Sequence, residues 1–125
     1  QNTQVAGDLG GLSGAARLTN LDLSDTQVAG DLSGLRAAKE LRILHLRNTR
    51  VTGDLSALVR TLSIINLQNT QVAGDLSSLA QATRLVHLNL QNTRVTGDLS
   101  GLSQVTGLRY LRLRNTQVAG DLSGL

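Results

Sequence analysis

The sequence predicts a solenoid of the α/β class, mostly β, built from five stacked coils. Two observations carry this. A Val-x-Gly-Asp signature recurs with its glycine at Gly7, Gly30, Gly53, Gly74, Gly97 and Gly120, at intervals of 23, 23, 21, 23 and 23 residues. Between these marks, apolar and polar residues alternate with period two, as in a strand with one buried face.

The alternating stretches place strands at 20–24, 43–47, 64–68, 87–91 and 110–114. Equivalent strands one coil apart stack only in parallel, with rungs about 4.8 Å apart. The coil reads Leu-x-x-Leu-x-Leu-x-x-Thr-x-Val-x-Gly-Asp-Leu-Ser-x-Leu, starting at Leu18, Leu41, Leu62, Leu85 and Leu108, after a partial coil over 1–17. Its inward set, for example Leu41, Leu44, Leu46, Val51, Leu55 and Leu58, is too large for one coil to bury alone, so neighbours must cover it.

This pattern resembles the leucine-rich-repeat family over essentially the whole chain. The resemblance implies a right-handed solenoid with a parallel sheet on its concave face and short strand, 3₁₀ or irregular segments on the convex side. It also implies a protein-binding or scaffolding role with another protein as partner. Two departures stand out. Thr26, Thr49, Thr70, Thr93 and Thr116 occupy the position where the family has an inward asparagine; a buried hydroxyl can both donate and accept there, as a smaller ladder. The Gly-Asp-Leu-Ser segment is similar to the Gly-x-Ile-Pro of plant-type repeats and implies a second short strand or turn.

One coil is shorter than its neighbours. Val59, Arg60 and Thr61 alone separate Leu58 from Leu62, where other coils have five residues, such as 36–40. Its convex segment must be tighter, which changes the local curvature; a functional dent there is the minor reading. Both ends cut through a repeat, at Gln1-Asn2-Thr3 and at Leu125, and neither carries a polar cap; the expectation is a stretch of a longer array, or one sealed by neighbouring copies or subunits.

Composition narrows the function classes. There is no Cys, Met, Phe, Trp or Pro, Tyr110 is the one aromatic residue, and leucine fills 26 positions. Without cysteine there are no disulfides, thiolate metal sites or cysteine nucleophiles. The lack of cysteine and of an Asn-x-Ser/Thr sequon points to a reducing, intracellular setting. No apolar run is long enough to span a membrane. Eleven of the twelve cations are arginine, with Lys39 the exception, but a net charge of +3 is too small to imply nucleic acid, and stacking aromatics are missing.

Nothing suggests catalysis: there is no Gly-x-Ser-x-Gly, P-loop or glutamate pair. No cofactor is implied. The recurring Asp8, Asp31, Asp54, Asp75, Asp98 and Asp121 read as turn caps after glycine; one carboxylate per coil is too few for calcium, which takes six to eight oxygens. His45 and His87 stand in different columns two coils apart, about 10 Å by strand spacing, too far to share a metal.

The outward sheet face is the candidate binding surface, because its residues vary while the framework repeats. Its columns are Asn20, Ile43, Ile64, His87, Tyr110; then Asp22, His45, Asn66, Asn89, Arg112; then Ser24, Arg47, Gln68, Gln91, Arg114. Charge runs from acidic at Asp22 and Asp25 to basic at Arg109, Arg112 and Arg114. Ile43 and Ile64 form an exposed apolar pair, and Tyr110 sits among arginines, both residue types enriched at interface hot spots. The competing expectation is a structural subunit in a large assembly or filament, using outward Asn48, Asn69, Asn92 and Asn115 for lateral contacts. A remoter one is an ice-binding surface on the same ladder.

Overall fold

A computed structural model describes residues 6–8 and 17–120; Gln1-Asn2-Thr3, Asp121 and Leu125 lie outside them, as does most of the partial first coil. Each full coil contributes two strands. The first strands are β2 (Asn20–Asp22), β4 (Ile43–His45), β6 (Ile64–Asn66), β8 (His87–Asn89) and β10 (Tyr110–Arg112). The second are β3 (Gln27–Asp31), β5 (Arg50–Asp54), β7 (Gln71–Asp75), β9 (Arg94–Asp98) and β11 (Gln117–Ala119), joined by β1 (Ala6–Asp8). They form a five-stranded and a six-stranded sheet, in chain order and parallel throughout.

The first strands begin where alternation begins but are two residues shorter than predicted. The cause lies in the next turn. Asp25, Asn48, Asn69, Asn92 and Asn115 adopt left-handed backbone with φ between 57° and 60°, which bends the chain away. Asn and Asp tolerate that conformation better than other non-glycine residues. In the first four full coils the second strand, at five residues against three, is the longer of the two and no accessory turn. Four coils then close through 3₁₀ turns at Leu32–Leu35, Leu55–Ala57, Leu76–Leu79 and Leu99–Leu102. Among the described residues there is no α-helix.

The core is a column of leucine between the sheets and the 3₁₀ turns. Leu44, Leu46, Val51, Leu55, Leu67, Leu76, Leu88 and Leu90 are fully buried. The threonines are buried too, apart from half-buried Thr116. Each hydroxyl donates to the carbonyl three residues back in its own coil, for instance Thr49 Oγ1 to Leu46 at 2.6 Å and Thr93 Oγ1 to Leu90 at 2.7 Å. The threonines therefore staple each coil internally and form no ladder between coils.

The ladder runs instead through the asparagines beside them. Asn48 Nδ2 donates to Asp25, Asn69 to Asn48, Asn92 to Asn69 and Asn115 to Asn92, at 2.5–2.7 Å. Every donor points towards the preceding coil.

The sheets differ in register. In the first, equivalent residues pair: Ile43 with Ile64, Ile64 with His87. In the second, Gly30 faces Val51, where strict repeat phase would put Val28. This slip of two positions sets each glycine over the aspartate of the coil below. A Cβ on Gly53, which has φ +113°, would come within 2.7 Å of Asp31 Oδ1 and 2.8 Å of the Leu32 nitrogen. Glycine is thus required twice, for backbone angle and for space.

The short coil loses its two residues at one place. The turn Leu55–Ala57 is one residue shorter than the others, and Leu58 after it turns extended (ψ 141°), whereas Arg36, Ala80 and Ser103, which follow the other turns, stay helical. Ala57 becomes the buried residue and Leu58 is only half-buried, which corrects its expected place in the core.

Candidate functional site

The strand register brings the predicted columns together on the outer face of the five-stranded sheet. In each three-residue strand the middle side chain (Leu21, Leu44, Ile65, Leu88, Leu111) turns inward, so its flanks face out. Asn20, Ile43, Ile64, His87 and Tyr110 align in one row, and Asp22, His45, Asn66, Asn89 and Arg112 in the next. Arg47, Gln68, Gln91 and Arg114 lie just beyond the strands, in the turns.

The second row does two jobs. Oδ1 of Asp22, Asn66 and Asn89 each accepts the backbone N–H two residues on, from Ser24, Gln68 and Gln91, at 3.0–3.2 Å. Asn89 is buried and also donates to Gln68 Oε1 at 3.1 Å. These side chains form the strand-to-turn corner and have little freedom left for a partner. The Ser24 N–H holds the Asp22 carboxyl below its ordinary range, reinforced by His45. Arg47 approaches Asp25 at 3.8 Å, a loose exposed pair worth little.

The basic end is organised differently. The rings of His87 and Tyr110 stack, with centroids 4.2 Å apart and planes 19° from parallel. The Arg112 guanidinium carbon lies 4.7 Å from the Tyr110 centroid, within range of a cation–π contact. Partial burial pushes the His87 pKa down, helped by His45 and Arg112. Beside this cluster Gln91, Arg112, Leu113 and Arg114 line a hollow of about 260 Å³. Tyr110 among arginines was readable in the sequence. The contact with His87 needs the strand register, which puts residues of equal repeat phase side by side.

Of the aspartate column, Asp31, Asp54, Asp75 and Asp98 cap the 3₁₀ turns, each Oδ1 accepting from the serine N–H two residues on at 2.8–2.9 Å. Asp121 is outside the described residues, as is the side chain of Asp8. Among the described residues no three His, Asp or Glu side chains converge as a metal site would need, and no helix is long and apolar enough to cross a membrane.

Comparison with known proteins agrees with this geometry. Residues 83–125 match the family model described as leucine-rich repeats in two copies. The ectodomain of the plant membrane receptor kinase GASSHO1/SCHENGEN3 from Arabidopsis thaliana, in complex with CASPARIAN STRIP INTEGRITY FACTOR 2, superposes with a TM-score of 0.83 at 25% identity. The match covers 96% of this chain and 15% of that one. Internalin C2 from Listeria monocytogenes gives 0.78 at 28% identity, over 93% of this chain and 50% of that one. The plant peptide hormone receptor RGFR1, in complex with RGF2, gives 0.78 at 22%, over 94% and 20%. The chain thus spans between a seventh and a half of the length of these three proteins. No curated protein sequence matches significantly.

The two sheets and their repeating corners define a parallel β-solenoid. The chain has the leucine-rich-repeat fold, and residues 83–125 match that family's model.

Proposed function

We propose that this chain is a non-catalytic protein-binding module that captures a peptide or protein segment on the outer face of its five-stranded sheet, centred on His87, Tyr110 and Arg112. The observation that carries this is their stacked cluster. Elsewhere on the face, Asp22, Asn66 and Asn89 are tied to the corner they support, whereas here a half-buried aromatic pair and Arg112 and Arg114 face out. Aromatic and arginine side chains anchor interfaces because they combine large contact area with directional polar groups. The half-buried Ile43 and Ile64 extend an apolar strip along the same row. The receptor kinase ectodomain it resembles is itself held in complex with another factor, which supports the assignment.

The lateral-assembly alternative gains nothing from the structure, since Asn48, Asn69, Asn92 and Asn115 spend their amides on one another. The inward threonines likewise offer no flat hydroxyl array to ice.

The test is affinity capture with a carboxylate- or photo-reactive cross-linker, because Lys39 alone would report through amine chemistry. Capture should link a distinct protein near residues 110–114, and Arg112→Glu with Arg114→Glu should abolish those links without changing the melting profile. Links confined to the convex side or the ends, untouched by that reversal, would make the chain a structural subunit instead.

A further inference from the structure

The short coil leaves a notch on the convex side, of about 490 Å³, between its own 3₁₀ segment and that of the coil before. Three cations line it, Arg36 and Lys39 from the preceding coil and Arg60 from the short one. Buried Ala57 with half-buried Leu58 and Val59 supply its apolar wall, beside Ser56 and Thr61. No carboxylate lines it, and Glu40, beside Lys39, makes no ion pair among the described residues, where Arg47–Asp25 is the single one found.

The notch is a constructed feature rather than a gap in packing. In the coils on either side, Ala38 and Ala82 are buried small residues whose N–H groups bond back to Leu35 and Leu79. The short coil has no such residue. Thr61 ties the segment back to the start of its own coil and the end of the preceding one, its hydroxyl 2.6 Å from the Leu41 carbonyl and 3.1 Å from that of Lys39. Two missing residues thus open a hollow, and the flanking cations are left without carboxylate partners.

We infer that this notch binds an acidic segment of a partner protein, seating an apolar side chain on Ala57, Leu58 and Val59 while carboxylates meet Arg36, Lys39 and Arg60. Size and composition suit this occupant: pockets of a few hundred cubic ångströms with apolar walls and few charged groups are usual binding sites. A bare anion would leave the apolar wall unused, and a nucleic acid would find no aromatic ring to stack on. This second surface lies apart from the five-stranded sheet and stands or falls independently of the function proposed above.

The experiment is an NMR titration of the isotopically labelled 125-residue chain with an acetylated, amidated hexapeptide of alternating glutamate and leucine. Sodium phosphate and the lysine–leucine counterpart are run in parallel. Amide shifts should cluster over residues 36–41 and 55–62, saturate with the acidic peptide, and be absent with the basic one. Arg36→Ser with Arg60→Ser should weaken binding about tenfold, and salt near 1 M should do so too, since charges at the rim are readily screened. Inserting two alanines after Arg60 restores the 23-residue length without changing charge; it should fill the notch and abolish the shifts, with folding checked by circular dichroism. Binding unaffected by the insertion, shifts confined to the five-stranded sheet, or phosphate binding as tightly at the same amides would each overturn the assignment.

Discussion

His87 and Tyr110 stack across neighbouring strands with ring centroids 4.2 Å apart, and Arg112 stands over the same phenol ring. A proton on His87 would add a cation to a partly desolvated site that already holds a guanidinium. Its pKa is accordingly below the ordinary 6.5, first through burial and then through His45 and Arg112.

The pH consequence follows by linkage. The unfolded chain takes up this proton near pH 6.5 and the folded chain only at lower pH. Stability supplied by neutral His87 is therefore complete above that range, falls as pH drops through it, and levels off below the folded pKa. Urea midpoints measured from about pH 7.5 to about pH 5 should decline, and His87→Gln should flatten part of that decline. An unchanged profile in the variant would remove His87 from the account.

Two glycines should respond differently to the same substitution. Gly53→Ala and Gly97→Ala both force a side chain into positive φ, at a cost of about 1–3 kcal/mol before any overlap. At Gly97 the atoms nearest the new methyl all belong to the Asp75 side chain, whereas at Gly53 the Leu32 backbone nitrogen is also 2.8 Å away. Adding Asp75→Ala should recover part of the Gly97→Ala loss. Adding Asp31→Ala should recover less of the Gly53→Ala loss, since backbone cannot move aside. Denaturant titration of the four variants decides it.

The asparagine ladder separates into backbone and side-chain parts. Asn69→Gly keeps the left-handed angle and loses the two amide bonds; Asn69→Ala loses both. The alanine variant should be the less stable by about 1 kcal/mol, the cost of that backbone for a residue with a Cβ. Equal midpoints would mean that the bend carries no strain.

Buried hydroxyls should matter more than exposed ones. Thr49→Val deprives the Leu46 carbonyl of its donor inside the core and should cost about 1–3 kcal/mol. Thr116→Val, half-buried near the last described coil, should cost visibly less in the same thermal or urea melt.

Much of this architecture was legible because the repeat states it six times. Leucines at fixed phase fix the core, and alternation marks where Ile43–His45 and its equivalents begin. The strand ends were harder: alternation continues through Arg47, but the left-handed residue after it ends the pairing. Asn-Thr looked like an outward polar residue beside an inward one, when its meaning was a φ near 57° and an amide column. Leu58 misled because it sits in phase with Leu35; the missing residues redirect the chain and put Ala57 inside. The His87–Tyr110 stack depended on register, which motif spacing suggests and only paired strands establish.

The amide column also has a direction. Each of its four links carries N–H towards the preceding coil, so the side-chain dipoles add head to tail along the stack. At the donor-facing terminus stands Asp25, an anion where the other coils place a neutral amide. The line behaves as a small electret, poled by geometry and grounded on a carboxylate, in the way that an acidic group steadies the amino end of a helix. Hydrogen bonds in such a chain polarise one another in the same sense, an effect that solvent screens along this exposed edge. The coils are thus coupled electrically along one edge as well as by leucine packing, and replacing one asparagine in mid-column should weaken links that it does not itself make.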